Sequence, residues 1–393
     1  MGNRPVKIKG SDRLNLVKEY YFSKKLREVA DMNARGENVI SLAIGSPDRA
    51  PSDATIDKLC EVAKDPKAHG YQSSISIPEL RNAIAAYYKR IYGVDINPDK
   101  EILPLIGSKE GILHITLAFV NPDDKVLIPD PGYPAYSSLS KILGADVVNF
   151  NLLSNHDWQP DFSQIERMDL SQVKLLWVNY PNMPTGGNAE IKTFERLVKL
   201  AHDHNFVIVN DNPYSLILNS RPLSIMEVDG AKEVSIELNS MSKSHNMPGW
   251  RVGMCISNPE FISWILKIKS NVDSGTFRGI QMGAAQALSN SDEWHQLNNI
   301  EVYSRRRKLA EEIMSLLDCS FNSNQVGMFL WGKIPDKYTD ASQITDKLLY
   351  EARVFITPGF IFGENGRRYI RISLCGSEDS FKTAIQRIKN INF

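Results

Sequence analysis

The sequence predicts an α/β fold in which a mostly parallel sheet, sandwiched by helices, is joined to a smaller α+β domain. Nearly continuous apolar runs alternate with amphipathic segments through the middle of the chain, which is typical of parallel strands covered on both faces. After about residue 290 the pattern changes to a charged helical segment followed by short strands. A chain of 393 residues is also longer than one hydrophobic core usually serves, so a second domain is expected.

The predicted strands of the large domain are short apolar runs bounded by turn residues. They span residues 124–131, 145–152, 173–181, 206–214, 234–240 and 251–257. A helix is predicted between the third and the fourth, because apolar residues recur there at helical spacing, at Phe194, Leu197, Val198 and Ala201. Strand, helix and strand in this order favour a parallel sheet, and ligands bind beyond the carboxyl ends of such strands.

The predicted domain boundaries follow the change of pattern. Residues 1–47 form an N-terminal arm and part of the small domain, residues 48–288 form the large domain, and residues 289–393 complete the small domain. The N-terminal part is expected to pack with the C-terminal part. It contains a helix candidate at 24–36 and a strand-like segment at 40–48 that runs into a turn.

The composition is that of an ordinary soluble globular protein. The 46 basic side chains balance 46 acidic ones, which gives no electrostatic sign of binding to nucleic acid or to a membrane. No apolar run approaches the length of a membrane span, and the first residues lack the apolar region of a secretory signal. The four cysteines are scattered singly, so neither a zinc site nor a redox dithiol is predicted. We expect a cytoplasmic protein without a metal site.

One lysine stands among small polar residues at the end of a predicted strand, in the segment SMSKSHNMPGWRVG. The amine of Lys243 can form an imine with a carbonyl only when it is uncharged part of the time, and burial beside a cation such as Arg251 lowers its pKa. Hydroxyls from Ser240 and Ser242, together with Arg251, suit a phosphate dianion. In isolation, this segment is more typical of a solvated surface turn.

A carboxylate ends another predicted strand, because FVIVND finishes with Asp211, and Tyr214 follows three residues later. A carboxylate delivered into a buried crevice is costly unless it meets a cation, and a protonated pyridine nitrogen would be one. Considered alone, Asp211 is also compatible with a helix N-cap or a turn.

Further turn residues follow other strands. Gly107, Ser108 and Lys109 precede an apolar helix candidate, and a helix N-terminus binds anions through its free N–H groups and its dipole. The turn NYPNMPTG is fixed by proline and glycine and presents Asn182. Tyr133 lies just past a strand, where its ring can stack on a planar cofactor.

Taken in order, six segments resemble the successive signatures of class I/II pyridoxal-phosphate-dependent aminotransferases of fold type I, the group that includes aspartate aminotransferase. The segments are IGSKEG, PDPGYPAY, NYPNMPTGG, NDNPY, SMSKSHNMPGWRVG and RRYIRISL. The resemblance extends from about Ile40 to the C-terminus. It implies that the large domain binds pyridoxal 5'-phosphate. It also implies the exchange of an amino group between an L-amino acid and a 2-oxo acid by a ping-pong mechanism.

The resemblance implies a role for each matching residue around the cofactor. Lys243 forms the Schiff base, Asp211 pairs with the pyridine nitrogen, and Tyr214 hydrogen-bonds the phenolic oxygen together with Asn182. These implied catalytic residues are Lys243, Asp211 and Tyr214. Tyr133 lies against the ring. The residues expected around the phosphate are Gly107, Ser108, Lys109, Ser240, Ser242 and Arg251.

The resemblance also implies how substrate and subunits are held. Arg371 grips the substrate α-carboxylate through two parallel hydrogen bonds, with help from Asn182 and the backbone near Gly45. Tyr71 matches a tyrosine that relatives send to the phosphate of the neighbouring subunit, so a homodimer with shared sites is expected.

Two departures from the family pattern concern substrate preference more than reaction type. Met183 lies where Asn, His or Gln is more usual, and the pair Phe277-Arg278 replaces a small or apolar pair.

The substrate is harder to predict than the reaction. The cations expected near the pocket are Lys109 and Arg278, and Tyr20 and Tyr21 are expected at its mouth. Charge complementarity therefore favours a dicarboxylic amino acid such as aspartate, glutamate or diaminopimelate.

Three alternatives stay open. Phe22, Tyr133 and Phe360 would form an apolar wall suited to methionine or aromatic amino acids. A carbon–sulfur lyase on the same scaffold would release ammonia and pyruvate without an oxo-acid acceptor. A non-catalytic regulator that binds pyridoxal phosphate is disfavoured, because no helix-turn-helix or basic segment precedes residue 40.

Overall fold

The computed structural model describes residues 7–17, 19 and 21–391. Within these ranges the strands are β1 (Ile40–Ser41), β2 (Ile102–Leu105), β3 (Lys125–Asp130), β4 (Asp146–Asn151), β5 (Val173–Val178), β6 (Val207–Asp211), β7 (Ser235–Ser240), β8 (Gly253–Ile256), β9 (Ser320–Phe321), β10 (Phe329–Lys333), β11 (Val354–Phe355), β12 (Thr357–Pro358) and β13 (Tyr369–Ser373). The α-helices are α1 (Tyr21–Ala34), α2 (Asp53–Ala63), α3 (Pro78–Tyr92), α4 (Ser108–Phe119), α5 (Pro134–Ile142), α6 (Phe162–Ile165), α7 (Ile191–His204), α8 (Ala231–Val234), α9 (Met241–Ser244), α10 (Pro259–Lys269), α11 (Arg278–Ala287), α12 (Asp292–His295), α13 (Val302–Leu316), α14 (Ser342–Lys347) and α15 (Glu378–Lys389).

A seven-stranded sheet forms the centre of the larger part of the molecule. Its strand order is β2-β8-β7-β6-β5-β3-β4. Neighbouring strands from β7 to β4 are parallel, whereas β8 is antiparallel to both β7 and β2. The six strands predicted in this part of the sequence are all present, and the mostly parallel sheet confirms the predicted fold class.

Both faces of this sheet are covered by helices, which explains the nearly continuous apolar strands. Successive side chains of a strand point to opposite faces. In β5, Leu175 and Trp177 join an apolar cluster with residues of α4, α5 and α10, while Leu176 and Val178 join a second cluster with residues of α3, α7 and α11. Because water reaches neither face, these strands lack the alternation of apolar and polar residues that an exposed face would produce.

The smaller part contains a four-stranded antiparallel sheet in the order β12-β13-β10-β9, against which the long helix α13 packs, and the C-terminal helix α15 packs against α13. A π-helical segment, Gln296–Glu301, joins α12 to α13, and a second one, Leu348–Ala352, extends α14.

The N-terminal segment pairs with the C-terminal part, as predicted. Ile40 and Ser41 of β1 lie parallel to Val354 and Phe355 of β11. Division of the chain at residues 47 and 288 remains a prediction. Among the helices of the described ranges, none is long and apolar enough to cross a membrane.

Candidate active site

Polar side chains that are far apart in the sequence meet at one edge of the seven-stranded sheet. The parallel strands β5, β6 and β7 bring Asn179, Asp211 and Ser240 to this edge, because their carboxyl ends all point the same way. Strand β8 runs in the opposite direction, so Arg251, which precedes it, reaches the same edge. The reversed strand thus adds a cation to a site otherwise built from strand ends.

A cavity of about 400 Å³ lies at this edge, between the large sheet and residues of the small sheet. Most of the residues predicted to form the site line it. They are Gly45, Ser108, Lys109, Tyr133, Asp211, Tyr214, Ser240, Ser242, Lys243, Arg251 and Arg371. The structure therefore brings these residues together, although the chemical role of each one stays a prediction.

Lys243 belongs to the single helical turn α9, directly after β7. Its Nζ donates a hydrogen bond to the Gly45 carbonyl oxygen at 2.5 Å. Burial lowers the pKa of Lys243, and the nearby positive charges of Arg371 and Arg251 lower it further. A lowered pKa increases the neutral fraction of this amine, which is the form that acts as a nucleophile or a general base.

Asp211 is a buried carboxylate with one oxygen bonded and one available. Its Oδ2 accepts a hydrogen bond from the Tyr136 hydroxyl at 2.8 Å, while its Oδ1 is buried and has no hydrogen-bond partner among the described residues. Burial raises the pKa of Asp211 to about 6, against the opposing effects of Tyr136 and of the Lys243 charge. An unsatisfied buried carboxylate oxygen is costly, and a cationic ligand nitrogen would offset that cost.

The beginning of α4 forms an anion cradle. Ser108 and Lys109 occupy the first turn of this helix, where backbone N–H groups are free, and the cavity-lining hydroxyls of Ser240 and Ser242 lie 3.0 Å apart. Gly107 does not line the cavity itself. It has a φ of +80°, and a Cβ built on it would collide with the Arg251 guanidinium, so only glycine lets this arginine approach.

Arg371 is buried on β13 and is held from several sides. Its Nη2 donates to the Ala43 carbonyl oxygen at 2.9 Å, and its Nη1 lies 3.1 Å from the Met183 sulfur. The guanidinium stacks on Phe329, with 3.9 Å from its central carbon to the ring centroid, and on Phe362, with 4.6 Å. A cation fixed this way at a cavity wall suits a planar carboxylate.

Asn182, by contrast, is not among the residues that line the cavity. Its Oδ1 accepts from the Thr185 hydroxyl at 2.7 Å, and its Nδ2 donates to the Asn179 carbonyl oxygen at 3.2 Å. These bonds direct the Asn182 side chain into its own turn. The neighbouring Met183 lines the cavity instead, together with Asn179. The predicted contact of Asn182 with cofactor and substrate stays a prediction.

Other predictions about the mouth of the pocket also need correction. Tyr21 does not line the cavity, because its ring packs edge-on against Phe360, and Phe22, the next residue of α1, points inward. Phe360 likewise stays outside the cavity. Arg278 forms an ion pair with Glu79 at 2.8 Å and is not a cavity residue. Tyr20 lies outside the described residues.

Tyr71 is 96% exposed and lies away from this cavity, on a surface depression that it shares with His69 and Phe277. Its predicted contact with a neighbouring subunit stays a prediction.

Several residues of the site were not predicted from the sequence. Tyr136 follows Tyr133 by three residues, a helical spacing that puts both on one face, so the sequence did hold a signal for it. Phe329 and Phe362 carry no local signal, because they reach Arg371 only through the pairing and packing of distant segments.

These features fit pyridoxal 5'-phosphate. The cofactor would offer a ring nitrogen to the orphaned Oδ1 of Asp211, a phosphate to the cradle at Ser108 and Arg251, and a carbonyl carbon to the amine of Lys243. A buried lysine, a buried carboxylate with a free oxygen and an anion-binding helix start, gathered in one cavity, are the groups that a pyridoxal-phosphate-dependent enzyme needs.

Similarity to known proteins is extensive and narrows that class. Residues 37–388 match the family described as aminotransferase class I and II. The chain is 40% identical over 385 residues to an LL-diaminopimelate aminotransferase of Dehalococcoides mccartyi, covering 98% of this chain and 99% of that protein. This chain therefore belongs to the aminotransferase class I and II family.

Solved structures agree with this membership. Apo-BacF from Bacillus subtilis has a TM-score of 0.94 and 32% identity, covering 99% of both chains. A probable N-succinyldiaminopimelate aminotransferase from Thermus thermophilus has a TM-score of 0.85 and 31% identity, covering 93% of this chain and 99% of that one.

The enzyme is thus a pyridoxal-phosphate-dependent aminotransferase whose substrates are an amino acid and a 2-oxo acid, as the motifs predicted. The similarities favour neither the lyase nor the non-catalytic regulator.

The raised pKa of Asp211 predicts a specific pH dependence of stability. Between the unfolded pKa of 3.8 and the folded pKa of about 6, the folded protein binds more protons than the unfolded one, so the free energy of unfolding falls as the pH rises through this window. For the cofactor-free chain we expect Asp211 to lower this free energy by about 1 kcal/mol between about pH 5 and pH 7. Urea unfolding of the wild type and of Asp211→Asn at both pH values measures the difference.

The control is Asp203→Asn, because Asp203 is on the surface and pairs with Lys199. That variant should keep the wild-type pH dependence. An Asp211→Asn protein with the same pH dependence as the wild type would contradict the burial argument.

Proposed function

We propose that the enzyme takes the amino group of diaminopimelate and passes it to a 2-oxo acid. The observation that carries this proposal is the 40% identity, over nearly the whole chain, to an LL-diaminopimelate aminotransferase. Two cations that line the cavity support it, Arg371 on β13 and Lys109 at the start of α4. Diaminopimelate has a carboxylate at each end, so it can be complemented by two separate positive charges.

Arg371 is the proposed ligand of the substrate α-carboxylate. Its guanidinium is fixed by the Ala43 carbonyl and by two aromatic rings, so little side-chain entropy is lost when a substrate binds. The contact with the Met183 sulfur is a weak one for a charged donor, and a carboxylate replaces it at small cost.

Lys243 is proposed to hold the cofactor and to move the proton. Its Nζ, whose pKa is lowered by burial, would accept the α-proton of the substrate as a general base and deliver it, within the same half-reaction, to the carbon that carried the cofactor's aldehyde; the second half-reaction moves the proton in the opposite direction. Pyridoxal phosphate, once bound, supplies a protonated ring that withdraws electrons from the substrate α-carbon.

The remaining residues are proposed to orient the cofactor. Asp211 faces the ring nitrogen and Tyr214 donates to the phenolic oxygen, while Tyr133 lies against the ring. The backbone N–H groups of Ser108 and Lys109, the hydroxyls of Ser240 and Ser242, and Arg251 bind the phosphate, with Gly107 allowing Arg251 to approach. The Lys109 side chain is then left for the second carboxylate of the substrate. The apolar side chains of Phe22 and Leu26, which reach the cavity from α1, exclude water from the reacting atoms.

The variant Lys243→Ala tests the proposed base. We expect turnover to fall by at least about 10⁴-fold, since both covalent attachment and proton transfer are lost, while the phosphate contacts keep part of the cofactor affinity. Amino-group transfer and cofactor retention after gel filtration measure the two effects. Lys308→Ala, a change at an exposed lysine on α13, should behave as the wild type. Full turnover by Lys243→Ala would refute the scheme.

A panel of amino donors tests the proposed substrate. Each amino acid is mixed singly with the holoenzyme, and the change in cofactor absorbance reports the first half of the exchange. We expect diaminopimelate to react at least about tenfold more efficiently than phenylalanine or methionine, because only diaminopimelate engages both cations. Faster reaction with methionine or phenylalanine would overturn the substrate proposal, and release of ammonia and pyruvate without an acceptor would indicate a lyase.

We further propose a homodimer in which each subunit completes the other's phosphate site through Tyr71. This side chain is 96% exposed in the single chain, an unusual exposure for a tyrosine in a surface depression. Nearby Phe277 stacks on His69, so the depression has a rigid aromatic floor for a partner.

Hybrid dimers test the sharing of sites. Lys243→Ala and Tyr71→Ala homodimers are each expected to be weakly active. Subunits exchanged between them form mixed dimers with one intact site, so the mixture should regain about a quarter of the wild-type activity if half of the dimers are mixed. Gel filtration measures whether the protein is a dimer. A mixture no more active than its parents would contradict the shared site.

We also assign the enzyme to the cytoplasm. All four cysteines, Cys60, Cys255, Cys319 and Cys375, are free thiols, and unpaired cysteines are typical of reducing compartments.

A further inference from the structure

Tyr136 occupies an unusual place beside the proposed cofactor nitrogen ligand. It is buried, with 1% of its surface exposed, and its hydroxyl donates to Oδ2 of Asp211 at 2.8 Å. Among the described residues, no other side chain is hydrogen-bonded to this carboxylate. Tyr136 therefore determines which carboxylate oxygen is occupied and which stays available.

The position of the Tyr136 ring is itself fixed from two sides. It stacks on Trp177 of β5, with ring centroids 4.8 Å apart and planes within 10° of parallel. On another side it meets Tyr133 edge-to-face, with centroids 5.5 Å apart. Because two aromatic contacts hold the ring, its hydroxyl is preorganised and Asp211 has little freedom to rotate.

The hydrogen bond also affects the charge of the carboxylate. Burial raises the pKa of Asp211, and the hydrogen bond from Tyr136 is the largest effect opposing that rise, followed by the charge of Lys243. Tyr214 is the other titratable group close to Asp211, and burial keeps its hydroxyl protonated by raising its pKa. Removal of the Tyr136 hydroxyl would therefore favour a neutral Asp211, which attracts a protonated ring less strongly.

We propose that Tyr136 is a positioning residue that fixes the orientation of the Asp211 carboxylate and keeps its Oδ1 available to the ring nitrogen of the cofactor. This role rests on the proposed pairing of Asp211 with that nitrogen. Tyr136 also packs against the Tyr133 ring. One side chain therefore supports both the carboxylate proposed to meet the ring nitrogen and the aromatic ring proposed to lie against the cofactor face.

The experiment uses holoenzyme prepared with pyridoxal phosphate labelled with ¹⁵N in the ring. In Tyr136→Phe we expect the ¹⁵N chemical shift at neutral pH to move towards that of an unprotonated ring, and the cofactor dissociation constant to rise roughly tenfold, as for loss of one hydrogen bond to a charged group. Tyr136→His, which can again donate a hydrogen bond, should recover part of both effects.

The matched control is Tyr88→Phe. Tyr88 donates a comparable hydrogen bond, at 2.9 Å, to the buried carboxylate of Glu237, a residue that does not line the cavity. This variant removes an equivalent buried bond and should leave the ¹⁵N shift unchanged. If Tyr136→Phe leaves the ¹⁵N shift and the dissociation constant as Tyr88→Phe does, the inference is overturned. If Asp211→Ala also leaves the shift unchanged, the proposed role of Asp211 fails as well.

Discussion

A carboxylate held out of water at the end of β6 is the constraint on which the site depends. Asp211 has no cationic side chain bonded to it, and one of its oxygens is buried without a hydrogen-bond partner among the described residues. Such a group costs free energy in the isolated chain. The fold maintains it there because both faces of the sheet are covered and the Tyr136 ring, stacked on Trp177, holds one carboxylate oxygen, so that the other faces the cavity and favours a ligand with a positive nitrogen.

The segment at 43–45 connects the two sheets at the cavity. The Ala43 carbonyl accepts from Arg371 of the small sheet, and the Gly45 carbonyl accepts from Lys243 at the end of the large one. The Ile44 carbonyl accepts from the Ser373 hydroxyl at 2.8 Å. One short stretch of backbone therefore sets the distance between the amine and the guanidinium, which are two of the groups that an amino-acid substrate must reach at the same time.

The reaction class could be predicted from the sequence because six motifs in order resemble those of a known family, and several of these motifs stand at strand ends. Lys243, Asp211 and Arg251 each lie beside a recognisable apolar run, and parallel strands bring such ends together whatever the details of packing. The sequence did not predict which side chain of the turn containing Asn182 faces the cavity. Adjacent residues in a tight turn point in different directions, so a motif match identified the turn but did not reveal that Met183 faces the cavity.

The sequence by itself determined the covered parallel sheet, the strand ends that carry the chemistry and the family of the enzyme, because apolar patterning and local motifs are properties of contiguous residues. Only the tertiary structure decided that Tyr136 bonds Asp211, that Phe329 and Phe362 sandwich Arg371, and that Tyr21 and Arg278 stay outside the cavity. These contacts join segments that are distant in the chain. Their geometry depends on strand register, helix rotation and close packing, which no local pattern specifies.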